Sequence, residues 1–204
     1  MNFKMNSILL VAVLTLVILS CQMPVGLPEG GSTADFPNRI GDQWTYQYYD
    51  SLRQRSDTVV VTIVGQTTIP GNKTATIWQK VYRIGIDTVY VTVSGDTVKI
   101  LPKYALTAQW INTKYIFPLL VGRGWRGDIS FDTNTIADMK SISVIAGKFL
   151  NAYRIEERWG GYNEYGRVTT WFVPRVGAAT IHRREWGWGF VNETWELIDY
   201  HVLP

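Results

Sequence analysis

The heptapeptide DTVYVTV, Asp87 to Val93, alternates strictly, with Val89, Val91 and Val93 on one parity and Thr88, Tyr90 and Thr92 on the other. A period of two belongs to a strand with two unlike faces and cannot wind into an amphipathic helix. The following Ser94-Gly95-Asp96 supplies a tight turn, and TVKIL, Thr97 to Leu101, continues as the return strand. The same signature recurs along the chain. DTVVVTIV, Asp57 to Val64, is β-branched almost throughout, and Ile69-Pro70-Gly71-Asn72 sets Pro and Gly where a type II turn needs them. Further strands are expected at Trp44–Asp50, Thr74–Ile84, Ser141–Ile145, Leu150–Arg158, Arg167–Val173, Ala178–Arg184 and Trp195–His201. No stretch of a dozen residues carries helical periodicity, and at most Tyr104–Trp110 forms a short helix or turn. The fold class is therefore all-β, a mostly antiparallel meander of hairpins.

Two segments are punctuated alike. FPNRIGDQW, Phe36 to Trp44, and FPLLVGRGW, Phe117 to Trp125, both read F-P-x-x-x-G-x-x-W with an aliphatic residue before the Gly, 81 residues apart. Downstream, Ile69-Pro70-Gly71 has a counterpart in Ile145-Ala146-Gly147, and Ser94-Gly95-Asp96 has one near Val176-Gly177. The ordered series points to two duplicated strand units, 36–116 and 117–204, in one domain. In each, Phe-Pro holds an extended entrance, Gly turns the chain, and Trp starts the first strand with a buried ring. Trp44, Trp125 and Trp171 are assigned to the core, and Val89, Val91, Val93, Ile142, Val144 and Tyr153 to inward faces.

The first 20 residues read as an address. Lys4 precedes an apolar run from Ile8 to Leu19, too short for a span of about 20 residues and suited to a secretory signal. The run ends in Ile18-Leu19-Ser20-Cys21, a small residue before the only Cys of the chain, which resembles a bacterial lipobox. A lone thiol in an exported protein has no internal disulfide partner, and acylation at Cys21 removes that liability. Gln22 at the next position implies sorting to the outer membrane, facing the periplasm. Residues 21–35 are Pro- and Gly-rich without periodicity and read as a flexible tether, leaving 36–204 as a single β domain.

The order F-P-L-x-x-G-x-x-W, then A-G-x-F-x-N-A-Y-R-I at Ala146–Ile155, then W-F-V-P-x-V-G at Trp171–Gly177, resembles a group of bacterial lipoproteins. That group is similar to the LolA/LolB-like lipoprotein-carrier superfamily. The resemblance implies a curved antiparallel meander forming an open half-barrel around an apolar cavity, with no catalytic residue carried over.

Charge and composition exclude several classes. The 20 Lys and Arg are interspersed with 17 Asp and Glu, without the basic stripe that nucleic acid would require. His182 and His201 are isolated, so neither a metal site nor a cofactor is expected. Glu156 and Glu157 are adjacent in a strand and point to opposite faces, which prevents them from sharing a proton-transfer task. Enzymatic activity is not expected. The densest local signal is aromatic: Trp159, Trp186 and Trp188 are the candidate ligand-binding residues, as a sugar platform or a cover over an acyl chain. Cross-strand aromatic packing in the core is the plainer account of the same residues. The leading expectation is an anchored envelope protein that holds a hydrophobic ligand, an acyl chain or a lipoprotein, on a concave apolar sheet. A non-catalytic envelope scaffold binding a protein and a carbohydrate-binding module are the alternatives.

Overall fold

The computed structural model describes residues 30–102, 112–127, 132–161, 164–187 and 189–204. The signal segment 1–20, Cys21, the turn or short helix expected at Tyr104–Trp110 and the candidate residue Trp188 lie outside the described residues.

Twelve strands run in chain order: β1 (Gln43–Asp50), β2 (Arg55–Ile69), β3 (Lys73–Tyr82), β4 (Gly85–Ser94), β5 (Thr97–Pro102), β6 (Asn112–Ile116), β7 (Gly124–Arg126), β8 (Thr133–Val144), β9 (Gly147–Gly160), β10 (Tyr165–Val173), β11 (Gly177–Trp186) and β12 (Val191–His201). They form one antiparallel sheet, ordered β6-β5-β4-β3-β2-β1-β12-β11-β10-β9-β8-β7. Each strand pairs with its neighbour in sequence, except that β1 pairs with β12 while β6 and β7 are left as the two edges. The meander thus curls into a nearly closed barrel with one seam. Register shifts at Thr45/Tyr46, Ile63/Gly65, Val98/Lys99, Ile136/Asp138, Lys140/Ile142 and Trp171/Phe172 insert bulges that bend the strands and sharpen their twist.

The two punctuated segments make matching backbone hydrogen bonds. Gly41 N–H donates to Ile63 O at 2.8 Å, and Gly122 N–H to Ile136 O at 2.7 Å. Asp42 donates to Arg39 O and Arg123 to Leu120 O; Ile63 in turn donates to Asp42 O and Ile136 to Arg123 O. Both glycines have positive φ, +100° and +89°, which a side chain would strain. Trp44 and Trp125 then stand second in β1 and β7, and the paired turns close β2 on β3 and β8 on β9, β4 on β5 and β10 on β11.

Both Phe-Pro marks build the floor of the barrel. Phe36 stacks between Trp78 and Phe172 at 5.9 and 6.1 Å, and Phe117 meets Phe172 edge-on at 6.2 Å. Trp44 stacks on Trp78 at 4.9 Å. Asn38 Oδ1 accepts from Trp78 Nε1 at 2.9 Å and from the Thr76 hydroxyl, fixing the indole's plane.

Several expectations need correction. Residues 30–35, read as tether, are docked on the floor. Gly30 O accepts from Leu119 N–H at 2.7 Å, Thr33 Oγ1 donates to Gly95 O, and Arg175 Nε donates to Asp35 Oδ1 at 2.7 Å. Ser32 and Asp35 cap a short 3-10 turn there, Thr33–Asp35. Val93 is 39% exposed near the end of β4, although Val89, Val91 and Tyr153 are buried. Ile142 and Val144 are half-buried, packed against a small cluster of Ala152, Val173 and Ala179. Trp171 lies on the outer face, half-buried under Lys140 at 5.0 Å and Arg154 at 6.0 Å, because it pairs across the ladder with Arg154. Trp125 only partly enters the core, since its edge strand leaves one side open.

Candidate ligand cavity

The side chains that point inward do not fill the barrel. Above the aromatic floor lies an open cavity of about 520 Å3, within the size range of small-ligand sites. Its floor is Phe36, Trp44, Tyr46, Trp78 and Phe172, and its walls include Val61, Val89, Ile100, Val168 and Ile181. The sequence places these side chains by parity. In β3, Thr76, Trp78 and Lys80 share one face, and Trp78 lies opposite both Ile63 of β2 and Val89 of β4.

Charge appears only toward the mouth. Glu157, Val168, Arg183 and Glu193 are successive cross-strand neighbours on β9 to β12 and form one inward rung. Lys114 of β6 reaches across the seam to pair with Glu157, with both side chains largely enclosed. Arg183 pairs with Glu185 at 2.7 Å, and Lys80 faces Asp87 at 3.5 Å. Burial lowers the Lys80 ammonium below its ordinary value, with Asp87 opposing that shift and the nearby cations Arg183 and Lys114 adding to it. Burial alone raises the Tyr46 phenol, and burial with Glu157 raises Tyr115, which marks the lower lumen as poorly solvated. Tyr48 at the rim is pushed up to about 12, by burial first and then by Glu193 and Asp50. The arrangement can hold an apolar body below and a polar end above.

Of the candidate aromatic residues, Trp159 and Trp186 are not brought together. Trp159 points inward and lines the cavity, its ring lying against Gly166, where an added Cβ would come within 2.0 Å of the indole. Trp186 stands on the opposite face of the sheet, 58% exposed, in an edge-to-face contact with Phe190 at 5.1 Å. Trp159 sits on the rung of Gly166 and Glu185, while Trp186 sits on the next rung with Tyr165, and neighbouring rungs face opposite ways. Sequence reasoning missed the floor residues as ligand contacts, having assigned Trp44 wholly to the core. The signal that could have found Trp78 is its shared parity with Lys80, an aromatic and a cation on one face. Glu156 and Glu157 do diverge: Glu156 faces outward among Arg154, Arg158 and Arg167, and Glu157 faces inward to Lys114. Among the described residues no group of three or more His, Cys, Asp or Glu is placed to hold a metal ion.

No family model matches the chain. No curated protein matches it either. Among solved structures it is similar to a candidate lipoprotein from Parabacteroides distasonis, at 17% identity and a TM-score of 0.45, over 82% of this chain and 98% of that one. It is also similar to a candidate exported protein with a YmcC-like fold from Bacteroides fragilis, at 13% identity and a TM-score of 0.48, over 81% and 97% of the two chains. Likenesses this loose carry no assignment of family or function.

Proposed function

We propose that this chain is a lipid-anchored protein of the bacterial envelope that holds a hydrophobic ligand, an acyl chain or the acylated end of a lipoprotein, inside its barrel. The observation that carries the reading is the open cavity, floored by aromatic rings and rimmed by charge. A filled interior would have favoured a scaffold role. The sequence around Cys21 supports anchoring, and Gln22 supports the outer membrane facing the periplasm. The reading is non-catalytic: in the cavity, Glu157 and Glu185 are engaged by Lys114 and Arg183.

Native mass spectrometry of the mature chain from Gln22, lacking Cys21, tests this. Bound fatty acyl species should survive gentle desorption as discrete mass additions, and added fatty acid should restore them after delipidation. A mass that stays bare throughout rules the reading out.

A further inference from the structure

The outer face of β8 to β11 carries a feature that the cavity does not explain. Tyr165, Trp186 and Phe190 form its rim and are 54, 58 and 57% exposed. Tyr165 and Trp186 are direct cross-strand partners, and Trp186 touches Phe190. Two residues back along the strands, on the same face, Arg158, Arg167 and Arg184 stand side by side as a row across β9, β10 and β11. All three are exposed. Farther down, Arg154 and Lys140 lie over Trp171. Among the described residues of β8 to β11 and their loops, the carboxylates facing this surface are Glu156, engaged by Arg158 and Arg167 at 2.9 Å each, Asp138 opposite Arg154, and Glu164 beside Gly187 at the rim.

We propose that this wall seats on an anionic phospholipid surface, with the aromatic rim in the headgroup layer and the arginine row on the phosphates. Successive same-face rungs are spaced about 7 Å apart, which suits rings buried roughly 5–10 Å into the headgroup boundary while the guanidiniums stay at phosphate level. Indole and phenol rings favour that interface, and guanidinium groups grip phosphate through two parallel hydrogen bonds. The row adds the attraction of basic side chains for an anionic leaflet. This contact is independent of Cys21 and of the cavity, so its failure would leave the ligand reading intact.

The test is co-sedimentation of the mature chain from Gln22, which retains every described contact and carries no acyl group. Vesicles of phosphatidylethanolamine with phosphatidylglycerol are compared with vesicles of phosphatidylethanolamine with phosphatidylcholine. Binding is expected to the anionic vesicles, with loss at about 0.5 M salt as screening sets in. The triple variant R158Q/R167Q/R184Q should weaken binding about a hundredfold, at about fivefold per arginine. Removing Arg158 and Arg167 strips Glu156 of its close partners, so R184Q/W186S, which leaves them in place, serves as the second variant and should lose about tenfold or more. Circular dichroism checks that both remain folded. Equal binding to the two vesicle types, unchanged binding by folded variants, or no binding to either lipid overturns the proposal, the last also if an acidic protein proves to occupy this wall.

Discussion

Gly166 is glycine because the Trp159 indole occupies the space its side chain would need. Gly166→Ala should push that ring off the strand and lower stability by about 1–3 kcal/mol, read as a lower urea midpoint together with altered tryptophan fluorescence. Phe36 is the converse case, a ring wedged among Trp78, Tyr115 and Phe172. Phe36→Ala opens a hole in the floor and should cost about 3–5 kcal/mol in chemical unfolding. Asp35 tests the same floor by titration. The hydrogen bond from Arg175 holds its carboxyl below the ordinary range, with burial opposing and Ser32 assisting. A carboxyl depressed in the folded state stabilises above its unfolded value, and that contribution is lost as pH falls through the folded value. Asp35→Asn should therefore melt below the parent at neutral pH, and the gap should shrink as the pH falls below 3.8, the ordinary value.

Among the described elements, the seam between β6 and β7 is the one junction of successive strands without a backbone ladder. Its counterpart, β12 with β1, is a full ladder. Across the seam, Trp125 Nε1 donates to Thr113 O at 3.0 Å and Lys114 pairs with Glu157, so side chains do what backbone does elsewhere. Lys114→Ala leaves an enclosed carboxylate without its cation and should destabilise by about 3–5 kcal/mol. Lys114→Leu combined with Glu157→Leu should recover most of that loss in a double-mutant cycle followed by thermal melting. Much of the strand order was legible because β4, β5 and the turns at Gly71 and Gly95 obey simple alternation. β8 was read only from Ser141, since the bulge between Ile136 and Asp138 shifts the parity of the chain before it. β6 and β7 span five and three residues, too few for a period to emerge. The cavity was less legible than the fold. Trp44 and Trp78 look like core residues locally, and whether an inward ring meets another ring or open space depends on the far wall.

At the scale of the whole molecule, the barrel separates an apolar depth from a charged mouth, and the cavity is the part that substitution can close without touching the outer wall. Val168 points into the lumen on the inward rung of charged residues. Val168→Trp should abolish the bound acyl species in native mass spectra while thermal melting stays within a few degrees of the parent. Loss of ligand together with the fold would instead make Val168 a packing residue. The two sheet margins have one more effect. Unpaired amides and carbonyls along a margin invite a second molecule to extend the ladder, and natural sheets blunt such margins by keeping them very short. Here one margin is only three residues long, a poor template for head-to-tail polymerisation. A barrel left open along one seam is thus guarded against being zipped shut by a copy of itself.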